Sequence, residues 1–287
     1  MFLGGPSPKA EIKYHGTCFL AAFKDFDGKL YSYIVTARHV AAAVQGDDTF
    51  FIRANLKAGG GSEPIPIHNI DWAYSDDDKT IDLAVAAHYL DKSKYDLDYL
   101  NLDTTTQLGN FAGSDDVIRS HVACGDEVCV VGLFHLHSGK ARNVPVVHTG
   151  HIAVLADPDE RIPLRNKLTE KTVRSEVHLV EIQSLDGLSG SPAFIAQMMD
   201  LPIRTPEGNH PQAYAGVKLL GIYVGSWDGD PDEVLKKDRR LSDGTKVPVG
   251  MGLVVPANKL VDLIRTHPKL VDGRNRDRED AENAGQL

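Results

Sequence analysis

The 287-residue chain lacks the features of exported and membrane-bound proteins. Its three cysteines, Cys18, Cys124 and Cys129, are too few for a disulfide framework, so we expect free thiols in a reducing, cytoplasmic compartment. No apolar run approaches the roughly 20 residues that span a bilayer. Residues 1–16 lack the basic and apolar regions of an export signal. These absences predict that the chain has no membrane partner.

Positive charge is also in deficit, with 31 basic against 40 acidic residues and a net charge of −9. That sign opposes sequence-independent attraction to phosphate backbones, so we expect no nucleic-acid partner. Hydrophobic residues make up 42% and charged residues 25% of the chain, which is close to the average of soluble globular proteins. The length is sufficient to bury a sizeable core, so the length and composition are compatible with an enzyme.

Patterns that bind cofactors or metals are incomplete. The glycine-rich residues 59–62 lack the Lys-Ser/Thr pair of a phosphate loop, so they predict a flexible hairpin loop. Two histidine pairs, His135 with His137 and His148 with His151, have no third ligand at a suitable spacing. We therefore predict no metal and no cofactor.

Helical periodicity is scarce, and most apolar residues fall in short runs rich in Val, Ile, Leu, Phe and Tyr. These runs are TCFLAAF, YSYIVT, IDLAVA, EVCVVGL, PVVHTGHIAVL, EVHLVEI, VKLLGIYVG and MGLVV. They predict strands of a sandwich or barrel. A helical pattern follows Pro256, with Ala257, Leu260, Val261 and Ile264 on one face. The chain is thus predicted to be mostly β with a C-terminal helix.

The polar residues 103–120 contain no strong strand and divide the strand runs into two sets. We place a boundary between subdomains there. The prediction is an N-terminal segment at 1–11, a first unit at 12–110, a second unit with the helix at 111–271, and a mobile charged tail at 272–287.

The sequence Gly187-Leu188-Ser189-Gly190-Ser191-Pro192 has the composition of a nucleophile turn. Acyl transfer needs a serine on a tight turn with backbone N–H groups directed at one point, and small neighbours let a substrate carbonyl approach. Ser189 is the candidate nucleophile. Ser191 is an alternative, although a small residue that fills the turn is the simpler interpretation.

A serine nucleophile requires a base and a group that orients the base. Thr36-Ala37-Arg38-His39 places a histidine after a β-branched run, and Asp82-Leu83-Ala84-Val85 places an aspartate within an apolar one. The acids that compete with Asp82 are Asp71, Asp76, Asp77 and Asp78. These four fit a solvated loop better than an active site.

The three motifs T-A-x-H, D-[IL]-A-[LV] and G-x-S-G-x-P, in this order, resemble those of the chymotrypsin-like serine peptidases. Residues 125–132 resemble a strand of bacterial members such as the HtrA-type proteases. Residues 252–256 and the helix after them resemble the closing elements of the family, so the resemblance covers roughly residues 12–267. It implies an all-β fold with two six-stranded antiparallel β-barrels and a C-terminal α-helix.

The resemblance also implies roles for individual residues. Ser189 would be the nucleophile, His39 the general base and then acid, and Asp82 the partner of the imidazolium. The backbone N–H groups of Gly187 and Ser189 would form the oxyanion hole. His39 and Asp82 would belong to the first barrel and Ser189 to the second.

Substrate-binding residues follow from the same resemblance. Gln183 occupies the position at the base of the primary pocket, and Val224, Gly225 and Ser226 lie on the strand that pairs with the substrate backbone. Gln183 is uncharged, so we do not expect a strong preference for Arg or Lys, which requires a buried carboxylate.

The sequence departs from secreted family members at Leu188, where they carry an aspartate that pairs with a newly formed N-terminus. Activation by zymogen cleavage is therefore not expected, and the few residues after the helix predict no PDZ domain. The resulting hypothesis is an intracellular serine endopeptidase acting on a protein or peptide. A narrower hypothesis is a dedicated processing protease activated by a regulatory partner or signal, and the alternative is a catalytically silent barrel that binds peptides or serves as a scaffold.

Overall fold

A computed structural model describes residues 1–6, 12–45, 49–102, 122–134, 139, 141–183, 187–205, 208–229 and 247–283. Strands dominate these residues, with three helices among them. The predicted boundary at 103–120, together with His135 and His137, lies outside the described residues. The division into subdomains therefore stays a prediction.

The described residues of the N-terminal half form nine short strands. They are β1 (Phe2–Pro6), β2 (Ile12–Thr17), β3 (Phe19–Lys24), β4 (Leu30–Thr36), β5 (Thr49–Asn55), β6 (Ser62–His68), β7 (Ala73–Tyr74), β8 (Ala84–Ala87) and β9 (Leu100–Asn101). Alternation of buried and exposed residues is clearest in β5, where Phe50, Ile52 and Ala54 face the core. The period of two explains why this segment forms a strand with one buried face.

These strands form two sheets in the described residues, in the orders β2-β1-β5-β6 and β7-β8-β4-β3-β9. The prediction of a closed six-stranded first barrel is therefore not confirmed. The chain passes from one sheet to the other at the buried Cys18, and both sheets contribute to one hydrophobic core. The edge strands β7 and β9 have only two residues each, which supply too few backbone groups to close a ladder.

The described residues of the C-terminal half form eight strands. They are β10 (Glu127–Leu133), β11 (Pro145–Val154), β12 (Ile162–Arg165), β13 (Thr172–Ser175), β14 (His178–Glu181), β15 (Ser191–Thr205), β16 (Gly208–Gly229) and β17 (Val247–Pro256). Six of them close into a barrel in the order β10-β11-β14-β17-β16-β15, around buried side chains such as Val130, Val180 and Val254. This closed six-stranded barrel is the one predicted for the second half.

Two polar segments of the C-terminal half contain strands. Residues 156–174 include most of the β12–β13 hairpin, which forms a separate two-stranded sheet. Residues 197–205 and 208–216 belong to the long ladder between β15 and β16.

The three helices are α1 (Arg38–Val44), α2 (Ala257–Thr266) and α3 (Pro268–Asn283). In α2 the predicted apolar face is buried, including Leu260 and Ile264. Within the described residues, no helix is both long and apolar enough to cross a membrane.

Helix α3 corrects the prediction of a mobile tail from residue 272. Arg274 of this helix is buried and donates to the Asp25 carboxylate at 2.8 Å, to the Tyr33 hydroxyl at 2.9 Å and to the Ile264 carbonyl at 2.8 Å. The sequence of this segment shows only high charge. Arg274 docks the helix through hydrogen bonds to Asp25 and Tyr33, which lie far away in the chain.

Candidate active site

Pairing between β4 and β8 places His39 and Asp82 side by side. The register aligns Thr36, the last residue of β4, with Ala84, the first residue of β8. His39 follows β4 in the first turn of α1, and Asp82 precedes β8. Because the strands are antiparallel, the residue after one and the residue before the other meet at the same edge of the sheet.

Asp82 contacts His39 with both carboxylate oxygens. The His39 backbone N–H donates to Oδ1 at 2.9 Å, and His39 Nδ1 lies 2.6 Å from Oδ2. The first contact uses one of the N–H groups that a helix leaves unpaired in its first turn. The second gives Nδ1 the proton and leaves Nε2 as the acceptor. The two side chains are 18% and 24% exposed, so the pair is partly shielded from water.

The environment keeps Asp82 ionised. Burial acts to raise the pKa of its carboxyl group, but the hydrogen bonds from His39, the charge of His39 and the charge of Lys167 outweigh burial and hold that pKa below its ordinary value. An ionised Asp82 stabilises a protonated His39, which is the state that a general base reaches during proton transfer.

The competing acids have other positions and partners. Asp71 pairs with Lys269 at 2.6 Å, Asp76 lies 3.5 Å from His267, Asp78 pairs with Arg161 at 2.7 Å, and Asp77 is exposed. Asp82 is thus the acid, among the described residues, that hydrogen-bonds His39.

The nucleophile turn requires glycine for steric reasons. Gly187 and Gly190 have φ of +100° and +90°, and the Ser191 N–H donates to the Leu188 carbonyl at 2.9 Å. A Cβ on Gly190 would lie 2.0 Å from the Thr17 carbonyl oxygen and 2.4 Å from Thr36 Oγ1. The turn therefore packs directly against the end of β4, which leads into His39.

Thr17 of β2 supports this turn and was missed in the sequence. Its backbone N–H donates to the Ser189 carbonyl at 2.8 Å, and its hydroxyl donates to the Gly187 carbonyl at 2.7 Å. The same hydroxyl accepts from the Leu133 N–H at 3.2 Å. Thr17 is 170 residues from Gly187, so no local pattern marks this contact.

The side chain of Ser189 is paired with the backbone of β16. Its Oγ donates to the Val224 carbonyl at 3.3 Å, and Lys167 Nζ donates to the same oxygen at 2.8 Å. In the described part of the chain, the hydrogen-bond partner of His39 is Asp82 and not Ser189. A nucleophile and its base often come into contact only when substrate is bound.

Ser191, the alternative nucleophile, is inaccessible. It is 0% exposed at the start of β15, and its Oγ has no hydrogen-bond partner among the residues that the structure describes. A Cβ on the neighbouring Gly132 would lie 2.0 Å from that oxygen. Ser191 therefore fills the space beneath the turn, which agrees with the simpler interpretation of the sequence.

The N–H groups that we expect to form the oxyanion hole belong to the same turn. The carbonyls of Gly187, Leu188 and Ser189 all accept hydrogen bonds and are directed away from the turn's open side. Within the part of the chain that the structure describes, the N–H groups of Gly187 and Ser189 have no acceptor. Two such N–H groups next to a serine can stabilise an oxyanion.

The four expected substrate-binding residues divide into two groups. Gln183 and Ser226 line a cavity of about 760 Å³ at one end of the barrel. Val224 and Gly225 instead lie beside Ser189, because the Val224 carbonyl accepts from Ser189 and a Cβ on Gly225 would lie 3.7 Å from Ser189 Oγ.

The lining of the cavity also contains titratable residues that no sequence pattern connects with a common site. Glu127, His151 and Glu181 are aligned across β10, β11 and β14 and contribute to its lining. No linear pattern could reveal this row, since the barrel closure brings it together. Among the described residues, no group of three or more His, Cys, Asp or Glu side chains could hold a metal ion.

Comparison with known proteins adds structural neighbours. No protein-family model and no curated protein matches the chain. The apo MamO protease domain from Magnetospirillum magneticum is 13% identical with a TM-score of 0.46, and the match covers 91% of this chain and 93% of that one. The HtrA-type protease AlgW with a decapeptide is 16% identical with a TM-score of 0.44, over 92% of this chain and 60% of that one.

The Rv3671c protease from M. tuberculosis, in its active form, is 12% identical with a TM-score of 0.39, over 88% of this chain and 80% of that one. Because the identities and TM-scores are low, the roles of individual residues depend on the contacts described above. The three structural neighbours named here are proteases, and one of them is of the HtrA type.

Proposed function

We propose that this chain is a serine endopeptidase in which Ser189, His39 and Asp82 form the catalytic triad. The observation that carries the proposal is the two-point contact of Asp82 with His39, at 2.9 and 2.6 Å, beside a glycine-flanked serine turn. The turn packs on the end of β4 that precedes His39, as the contacts around Gly190 require. Acyl transfer needs an oriented base and a serine close to it, and the end of β4 brings the two together.

The proposed reaction has two halves. His39 Nε2 takes the proton of Ser189 Oγ while Oγ forms a bond to the scissile carbonyl carbon, and the imidazolium then gives that proton to the leaving amine as the C–N bond breaks. Water, activated by His39 in the same way, cleaves the acyl-enzyme ester and restores Ser189. Asp82 stays ionised throughout and stabilises the imidazolium.

The N–H groups of Gly187 and Ser189 would stabilise the oxyanion of the tetrahedral intermediate. Loss of one donor of this kind costs about 3 kcal/mol of transition-state stabilisation in other hydrolases. The positive φ of Gly187 supports this role, because an L-residue would resist the backbone conformation that directs its N–H.

We further propose that the protease acts in a reducing, cytoplasmic compartment and that a partner or signal controls it. Cys18, Cys124 and Cys129 are free thiols, and the Cys124 side chain is exposed. Leu188 is fully buried in the barrel core, where it cannot pair with an N-terminus. Without that pairing the site is either constitutively active or controlled by a partner or a loop movement, and control by a partner fits a dedicated processing protease.

A second candidate function, a silent peptide-binding module, is favoured by one observation. Ser189 Oγ donates to the Val224 carbonyl and not to His39. If this arrangement persisted with a peptide bound, the serine would not be activated, and the strand containing Val224 would serve only to bind extended peptides.

A fluorophosphonate probe and a peptide library distinguish the two candidates. The probe should label the wild-type protein at Ser189, and the wild-type protein should cleave a diverse peptide library at sites identified by mass spectrometry. The Ser189→Ala variant should do neither. Ser191→Ala removes a buried hydroxyl two residues away and should behave as wild type. Absence of labelling under all conditions, including with candidate partners, or equal cleavage by wild type and Ser189→Ala, would refute the protease proposal.

A further inference from the structure

Lys167, at the tip of the β12–β13 hairpin, reaches into the candidate active site. Its Nζ donates to the Val224 carbonyl at 2.8 Å, the same oxygen that Ser189 Oγ contacts. A Cβ placed on Gly225 would lie 2.2 Å from Lys167 Nζ and 3.7 Å from Ser189 Oγ. The ammonium and the candidate nucleophile therefore border the same small space beside Gly225.

The hairpin tip is ordered by its own hydrogen bonds. Asn166 Oδ1 accepts the backbone N–H groups of Leu168 and Thr169, both at 2.9 Å, which fixes the residues on either side of the Lys167 backbone. The Asn166 N–H donates to the Lys171 carbonyl at 2.9 Å, and the Glu170 N–H donates to the Asn166 carbonyl at 2.8 Å. Such a turn presents Lys167 in a defined direction.

The base of the hairpin is attached on both sides of the site. Trp227 Nε1, three residues beyond Val224, donates to the Pro163 carbonyl at 2.9 Å. On the other side, Ser175 Oγ donates to the Thr80 carbonyl at 3.2 Å, two residues before Asp82. These contacts hold the hairpin across the space between the nucleophile turn and Asp82. The charge of Lys167 consequently acts on Asp82 as well as on Val224.

An extended substrate would need the backbone acceptor that Lys167 occupies. A peptide that binds by strand addition pairs its N–H groups with free carbonyls of the receiving strand. The Val224 carbonyl is within hydrogen-bond distance of Ser189 Oγ, and it already accepts from a charged donor and a hydroxyl. Hydrogen bonds from charged donors are stronger than those from neutral amides, so a peptide N–H competes at a disadvantage.

We propose that Lys167 is an internal competitor of the substrate, whose ammonium holds the Val224 carbonyl until a peptide or a partner displaces the hairpin tip. The proposal depends on the protease function proposed above and specifies how that site is regulated. Lys167 is an exposed residue, so the displaced ammonium returns to water at moderate cost. The inhibition is therefore reversible by substrate and acts on binding rather than on the chemical steps.

Kinetics of β-casein cleavage test the proposal, with casein as an unfolded substrate of mixed sequence. Lys167→Met keeps the apolar stem and removes the ammonium. We expect its KM to fall about tenfold relative to wild type, with kcat within about twofold. Lys167→Arg retains a cationic donor and should keep a KM close to that of wild type. Lys171→Met removes an equal charge from the same hairpin tip and should also leave KM unchanged.

A parallel fluorophosphonate reaction separates the two proposals. Failure to label Ser189 in every variant overturns the protease function and this inference with it. Labelling of Ser189 with an equal casein KM in wild type and Lys167→Met overturns the inference alone, as does labelling without casein cleavage by Lys167→Met. An equal fall in KM for Lys171→Met would assign the effect to surface charge. Melting temperatures verify folding, and Lys167→Gln replaces Lys167→Met if the latter is destabilised.

Discussion

Thr17 connects the two halves of the molecule at Ser189, the proposed nucleophile, donating its backbone N–H to the Ser189 carbonyl at 2.8 Å and its hydroxyl to the Gly187 carbonyl at 2.7 Å. The Thr36 hydroxyl in turn donates to the Thr17 carbonyl at 2.7 Å. Strand β2 of the N-terminal half thus sets the position of a turn in the C-terminal half. The geometry of the proposed oxyanion hole depends on this one buried residue.

Replacement of Thr17 by valine should impair both stability and nucleophile reactivity. Valine preserves the shape but removes the hydroxyl, which leaves the Gly187 carbonyl and the Leu133 N–H without a partner in a buried place. Each unsatisfied group costs about 1–3 kcal/mol, so we expect urea unfolding to show a loss of about 2–5 kcal/mol. Fluorophosphonate labelling should slow as well. Thr17→Ser keeps the hydroxyl and should label at nearly the wild-type rate; equal behaviour of the two variants would contradict the role of the hydroxyl.

Asp82→Asn should nearly abolish peptide cleavage while leaving the fold intact. The amide is isosteric, but it carries no charge to stabilise the imidazolium and it favours the wrong His39 tautomer. By analogy with the same substitution in other triads, kcat should fall by about 10⁴. Asp78→Asn is the control, since Asp78 pairs with Arg161 rather than with His39. A comparable loss of kcat in both variants would show that negative charge near the site, and not the contact of Asp82 with His39, determines kcat.

The candidate triad could be proposed from the sequence because each of its three motifs is local. Thr36 to His39, Asp82 to Val85 and Gly187 to Pro192 each combine a strand end with residues whose type the reaction requires. The C-terminal barrel could be predicted because its apolar runs have strand length, and α2 because its apolar residues share one helical face.

The remaining features arise from contacts between distant residues. Lys167 meets Val224 across 57 residues and Arg274 meets Asp25 across 249, and neither lysine nor arginine differs locally from a solvated surface residue. The division of the N-terminal strands into two sheets depends on which strands pair with each other. The pattern of residues within one strand does not specify its neighbour.

Gly190→Ala should disrupt the nucleophile turn far more than a comparable glycine substitution elsewhere. Gly190 and Gly125 both have positive φ, of +90° and +95°, so alanine is strained at either position. At Gly190 the added Cβ would lie 2.0 Å from the Thr17 carbonyl oxygen, whereas at Gly125 no atom of the described residues lies within 4 Å. Gly125→Ala should lose about 1 kcal/mol of unfolding free energy and keep its fluorophosphonate labelling. Gly190→Ala should lose labelling altogether, and retained labelling would contradict the packing described for the turn.

Arg274→Met should destabilise the protein through the carboxylate that it leaves behind. The side chains of Arg274 and Asp25 are each 5% exposed, and removal of the guanidinium leaves the buried Asp25 carboxylate with Arg278 as its remaining cationic partner. We expect a loss of about 2–3 kcal/mol in urea unfolding, which corresponds to one lost hydrogen bond to a charged group, and partial recovery when Asp25→Asn is added. Arg276→Met removes an exposed arginine from the same helix and should change stability by less than about 0.5 kcal/mol. Equal stability of the two single variants would mean that α3 does not dock through Arg274.

His178 should make the protein sensitive to mild acid. Burial lowers the pKa of this histidine to about 4, and its Nδ1 accepts the Ala156 N–H at 3.0 Å in the neutral state. An unfolded chain has a histidine pKa near 6.5, so as pH falls below about 6.5 the unfolded state binds the proton first and stability declines. The decline from this residue should total about 3 kcal/mol and end near pH 4, where the folded protein also binds the proton. His178→Asn retains an acceptor for the Ala156 N–H without titrating, and it should remove that part of the pH dependence. The exposed His151→Asn should retain the wild-type profile of unfolding free energy between pH 7 and 4, and a His178→Asn profile as steep as that of His151→Asn would assign the acid sensitivity to other groups.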